Sequence, residues 1–292
     1  MRTTFDNRTR RVLAGVFVIT TMLMAWQGLR ASSRGDDRGF FLSDLRVIGL
    51  TDDGRLVSFR ARTPKRTRDI GYVNGLSGAD SALVGIDFRV QDGKLYGVGN
   101  GGGVYTIDPR TAMATFVNAL SVPLNGTSFG VDFNPAADRL RIVSDTGQNL
   151  AHNVNDGGTT AMNATLTYTV PPAMAVAASG ITAAAYTNND LDPATATTLF
   201  DVDTMQDQVV VQSPPGAGLL VATGKLGFDA SGAGFDIYSQ LANGVTVANL
   251  SFATLMTDGK YRFYFINLTT GDAISLGAFD EMVVDIAVPL NQ

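Results

Sequence analysis

From Arg46 to the C-terminus the chain is a succession of short apolar runs broken by Gly, Asp, Asn and Pro, the spacing of strands joined by tight turns. The clearest stretch is Val84 to Leu120. It predicts four strands, Val84 to Arg89, Lys94 to Val98, Gly103 to Asp108 and Ala114 to Ala119. Between them, Gln91-Asp92-Gly93, Gly101-Gly102-Gly103 and Asp108-Pro109-Arg110-Thr111 supply the positive or fixed φ that reversals need.

The same unit returns. A partial copy covers Arg46 to Val73 and lacks an opening strand. Further copies start at Phe129, with a fourth strand expected near Leu166 to Thr169, at Gly180, and at Leu226, where Val245 to Phe252 reads as an additional strand. An isolated strand, Val283 to Leu290, follows. The third-strand position falls at Phe59, Ile107, Val154, Val202 and Ile266, in steps of 48, 47, 48 and 64. The Gly-x-Asp position of the first strand falls at Asp87, Asp132, Thr182, Asp229 and Asp285, in steps of 45, 50, 47 and 56. A period in the forties with four strands per repeat predicts an all-β fold, a β-propeller of five four-stranded blades. Six blades is the alternative, in the longer last step. The C-terminal strand is expected to join the N-terminal blade, which closes the ring and removes two exposed sheet edges.

Composition agrees with strands: 32 Gly, 16 Phe and 8 Tyr in 292 residues, with 45% apolar content. Residues 1–31 stand apart. Arg2, Arg8, Arg10 and Arg11 precede an uncharged run from Val12 to Gly28, the form of an export signal, either cleaved or retained as a membrane anchor. Residues 32–43 read as a linker and 44–292 as one domain. Without residues 1–31 the chain keeps 17 basic against 26 acidic residues, which argues against nucleic acid as a partner. There is no cysteine, and His152 is the only histidine. Disulfides and thiolate or multi-histidine metal sites are thereby excluded, and any Ser-His-Asp chemistry must run through one residue.

Four candidate groups remain. Asp87, Asp132, Asp229 and Asp285 share one repeat position and could hold a hard cation such as calcium in the axial channel; the structural reading is that each accepts hydrogen bonds from backbone groups at the start of its own blade. Thr182 interrupts the set. Asp108, Asn155, Asp203 and Asn267 precede turns and read as Asx caps. Asp201, Asp203 and Asp207 have calcium-like spacing but lack the loop's Gly and terminal Glu. Arg141, Asn149, His152, Asn153 and Asn155 form the densest polar group and depart most from the other copies, which makes them the candidate binding residues. The Gly99 to Gly103 run lacks the helix and Lys of a phosphate loop and reads as a hairpin turn.

The segments LYGVGNGGGVYTID (95–108), FGVDFNPAADRLRIVSDTGQN (129–149), HNVNDGGTT (152–160), GITAAAYTNND (180–190), GKLGFD (224–229) and YFINLTTG (264–271) resemble the bacterial exported family grouped as domain of unknown function 4394. The resemblance implies an exported, repeat-built domain and transfers no catalytic residues. The expected function is a non-enzymatic binding or scaffold module at the cell surface or outside the cell. Its ligand would be a protein or carbohydrate, its state monomeric without a required cofactor, and its only membrane contact an uncleaved N-terminal segment. A metal-dependent hydrolase or lactonase with an axial cation is the alternative.

Overall fold

The computed structural model describes residues 45–155, 157–170 and 174–290. The expected export signal and linker, residues 1–43, lie outside them. The strands are β1 (Arg46–Thr51), β2 (Arg55–Arg60), β3 (Arg68–Tyr72), β4 (Leu83–Phe88), β5 (Leu95–Gly99), β6 (Gly103–Ile107), β7 (Ala114–Ala119), β8 (Phe129–Asn134), β9 (Arg139–Ser144), β10 (Asn149–His152) and β11 (Thr160–Met162). They continue with β12 (Thr167–Val170), β13 (Met174–Ala177), β14 (Ile181–Tyr186), β15 (Leu199–Asp203), β16 (Gln208–Gln212), β17 (Leu219–Lys225), β18 (Ala233–Ala242), β19 (Val245–Thr257), β20 (Lys260–Ile266), β21 (Ala273–Ala278) and β22 (Val283–Ala287). The one helix among the described residues is a 3-10 turn, Pro215–Ala217, and no helix there is long and apolar enough to cross a membrane.

Five antiparallel sheets form the blades of a propeller. The first blade is β4 to β7, the second β8 to β11, the third β14 to β17, and the fourth β18 to β21. The fifth has the order β22-β1-β2-β3, so the C-terminal strand does close the ring, pairing Ile48 with Ala287 and Leu50 with Asp285. The innermost strands β22, β4, β8, β14 and β18 succeed one another around the axis.

Apolar side chains project from both faces of each blade because a neighbouring blade covers each face. The core is accordingly five wedges. Leu50, Leu56, Ile86 and Tyr105 fill the wedge between the fifth and first blades. Val98, Val131, Phe133 and Ile142 fill the next, followed by Val143, Tyr186, Leu199 and Val210, then Phe200, Val202, Phe235 and Tyr264. Phe59, Phe252, Phe263 and Phe279 close the circuit in a cluster of stacked and edge-on rings. Near the axis the strands approach backbone to backbone. A Cβ on Gly130 would lie 2.5 Å from the Ala184 nitrogen, and one on Gly234 would lie 2.5 Å from the Asp285 Cα.

Four expectations are corrected. The run Leu199–Asp203, aligned with third strands, is the second strand of its blade, with β16 third and β17 fourth. The strand near Leu166 to Thr169 is β12, which pairs parallel to β17 and extends the third blade, with β13, to six strands; the second blade ends instead with β11. The Val245 strand is β19, the regular second strand of the fourth blade. The long last interval holds no sixth blade because β18 and β19 are themselves long, at 10 and 13 residues.

Candidate functional site

Asp87, Asp132 and Asp236 converge at the axis, each offering a carboxylate oxygen within 4.8 Å of the others. Asp285 lies close enough to raise the carboxyls of Asp87 and Asp132 electrostatically. All four side chains are buried. The expected member Asp229 is not among them: it sits exposed in the segment before β18. Two Gly-Phe-Asp triplets occur seven residues apart, at 227–229 and 234–236, and only the second lies on an innermost strand.

Each carboxylate receives the backbone of the following blade. Asp285 accepts the N–H of Ile86 at 2.8 Å, Asp87 that of Phe133 at 2.7 Å, and Asp132 that of Tyr186 at 3.0 Å, while Asp236 accepts that of Val288. Asp87 and Asp236 also accept the next N–H on their own strands, from Phe88 and Ile237. The expected partners were groups in the acid's own blade, and the larger part of the bonding runs between blades. The junction from the third blade to the fourth lacks such a bond. Phe133, which serves Asp87, follows Asp132 directly, whereas Tyr186, which serves Asp132, follows Ala185. Thr182, the expected position, lies three residues before Ala185, at a bulge between Ile181 and Ala183.

Burial dominates the electrostatics. It pushes the Asp236 carboxyl up to about 7 and that of Asp285 up to about 8. Asp87 and Asp132 are pushed well above the usual range, first by burial and then by the other acids. Carboxylates this close cannot all stay ionised in a low-dielectric interior. The arrangement can share protons, or Asp87, Asp132 and Asp236 could supply three oxygens to a hard cation.

The second candidate group is divided rather than gathered. Side chains alternate along β10, so Asn149 and His152 face opposite sides of their blade. Asn149 points to the third blade with Arg141, whose Nη1 donates to the Asn149 Oδ1 at 2.7 Å, to the Leu150 carbonyl and to Asn163; Arg141 Nε donates to the Tyr186 hydroxyl. His152 points to the first blade and is fully enclosed, with Nδ1 2.9 Å from the Thr160 hydroxyl and Nε2 2.9 Å from the Asn118 Oδ1. Burial, with Arg139 nearby, lowers its pKa to about 4. Asn153 accepts the Asn155 N–H as a turn cap, and Asn155 turns away to Arg89 and Asp138.

Other sequence candidates serve turns. Asp108, Asp203 and Asn267 each accept the N–H two residues on, as expected of Asx caps. The Gly99 to Gly103 turn is tied by Asp80, which accepts the N–H groups of Gly101 and Gly103 and the Tyr105 hydroxyl. Arg89 and Asp138 were not anticipated. They form a two-pronged ion pair at 2.8 and 2.6 Å between the first and second blades, and repeat position alone gave no sign that this turn would meet that strand end. A groove of about 720 Å³ opens beside the β6–β7 turn, with Phe88, Leu95 and Met113 as apolar lining and Lys94 and Arg110 as cations.

Among solved structures the chain resembles an auxiliary nutrient binding protein from Bacteroides thetaiotaomicron at 12% identity, over 70% of this chain and 55% of that one, with a TM-score of 0.41. It also resembles the glutaminyl cyclase of Myxococcus xanthus, at 11% identity over 70% of both chains with a TM-score of 0.38, and TolB from Acinetobacter baumannii, at 11% over 81% and 54% with 0.39. The chain thus spans little more than half of the nutrient binding proteins it matches. No curated protein matches the sequence. A family model described as domain of unknown function (DUF4394) matches residues 55–287, most of the length that forms the five blades, and the chain belongs to that family.

Proposed function

We propose that the protein is an exported binding module, a rigid propeller that presents a protein or carbohydrate ligand with its loops and blade edges. One observation carries this reading: the axial acids and the only histidine are spent on the scaffold. The axial acids bind the backbone of neighbouring blades, and both ring nitrogens of the only histidine are engaged in a closed site. What stays accessible is suited to recognition, notably the groove with an apolar floor and the two cations Lys94 and Arg110. Export rests on the basic and apolar pattern of residues 2–28.

The test is to screen the chain from residue 32 onward on glycan and peptide arrays, and in parallel on ester and lactone substrates with and without calcium. Saturable binding that weakens in Lys94→Glu or Arg110→Glu, with no turnover, supports the module. Calcium-dependent hydrolysis that disappears in Asp87→Asn would overturn it in favour of an axial metal-dependent hydrolase.

A further inference from the structure

Asp201 is the one fully buried acid among the described residues with neither carboxylate oxygen hydrogen-bonded, and the Oε1 of buried Gln212 is also without a partner. Burial pushes its carboxyl well above the usual range, and buried acceptors without a partner call for a proton or a cation to meet them. The two side chains share a face of the third blade. Asp201 on β15 pairs with Val210 on β16, and Gln212 lies two residues further on, opposite Leu199. Diagonal neighbours of this kind are within reach of a common guest. On β14 the residue opposite Asp201 is Ala184, whose side chain is small.

The surroundings fix both groups. Gln212 Nε2 donates to the Pro215 carbonyl, which also accepts Asn149 Nδ2, so the amide is held with its oxygen free. The neighbouring Asp203 is satisfied by the Tyr168 hydroxyl and two backbone N–H groups. Arg141 is near enough to act on Asp201 electrostatically, yet its Nε and Nη1 donate to neutral acceptors, and it forms no ion pair with Asp201. Every unpartnered atom here is an oxygen acceptor.

We propose that the seam between the second and third blades binds one hard monovalent cation of the sodium class through the Asp201 carboxylate and the Gln212 Oε1. A monovalent ion matches the single carboxylate of Asp201, whereas a divalent one would place an unmatched charge near Arg141. Oxygen donors select hard cations. Bound only by the folded chain, the ion would stabilise it by mass action.

The experiment compares melting in sodium chloride and tetramethylammonium chloride at equal ionic strength, with thallium(I)-soaked crystals for location. The expected result is a higher Tm in sodium, lost in Asp201→Asn and in Gln212→Leu but kept in the exposed-site control Asp229→Asn, and an anomalous peak between Asp201 and Gln212. Equal melting in the two salts for the wild-type protein, or a sodium effect that survives both seam variants, overturns the site. So do crystals without a peak there, a result that needs no folded variant.

Discussion

Asp87 accepts the backbone N–H of Phe133 at 2.7 Å, so the side chain of one innermost strand completes the hydrogen bonding of the next. The bond has direct energetic consequences. Removing the acceptor leaves a buried donor unmet, and each such group costs about 1–3 kcal/mol. Asp87→Ala orphans the N–H groups of both Phe133 and Phe88. The variant is expected to melt lower and unfold at lower denaturant, and an unchanged denaturation midpoint would contradict the structural role.

The two Gly-Phe-Asp triplets separate cleanly by mutation. Asp236→Ala removes the acceptor for Ile237 and Val288 and should destabilise as Asp87→Ala does. Asp229 is exposed, so Asp229→Ala should change stability by no more than about 0.5 kcal/mol. Paired denaturation curves decide it.

Stability should fall as pH rises across neutrality. The axial acids have folded pKa values above their unfolded ones, reaching about 7 for Asp236 and about 8 for Asp285. Their contribution is therefore complete below the unfolded value near 4 and is lost as pH passes through 7 and 8. His152 acts in the opposite sense: its folded value is depressed to about 4, so its contribution is complete above about 6.5 and is lost below. The four acids outweigh it, and Tm at pH 6.5 should exceed Tm at pH 8.5.

His152 should not titrate in the ordinary range. With its ring enclosed between Thr160 and Asn118, its NMR signals should stay at their neutral positions from pH 8 down to pH 5. A midpoint near 6.5 would mean that the ring is open to water.

Gly130→Ala should damage the ring more than a typical strand substitution. Its Cβ would meet the Ala183 and Ala184 backbone at 2.6 and 2.5 Å, and a backbone neighbour cannot rotate away as a side chain can. Loss of soluble folded protein or a sharply lowered Tm is expected.

Much of this fold was readable because a blade is a local object. The Val84 to Leu120 hairpins carry their own turn residues, and the strands they predict match β4 to β7 within a residue or two at either end. Legibility failed where length varied. Residues 187–198 enlarge one hairpin and shifted the assignment of Leu199–Asp203 by a strand, and the early Gly-Phe-Asp triplet diverted attention from Asp236. The inserted β12–β13 hairpin was equally hidden, since its pairing with β17 is parallel and remote in sequence.

The sites were less legible than the fold for a related reason. Repeat position placed Asp87, Asp132 and Asp285 correctly on the axis, but their partners lie on the next blade, which no single copy encodes. Density of polar residues suggested that Arg141, Asn149, His152 and Asn155 act together, whereas strand alternation sends them to different blades. Asp201 attracted notice only for its spacing from Asp203 and Asp207. Its unpaired state depends on what faces it across the seam.

The pairing of β22 with β1 sets the order in which this protein can be made. Four blades are complete within contiguous stretches of chain, but the fifth waits for residues 283–287 to meet residues 46–51. Closing so long a loop is slow, and until it happens β22 and β1 each leave a backbone edge unpaired. Until residues 283–287 pair with residues 46–51 the ring stays open, and the fifth blade has no innermost strand.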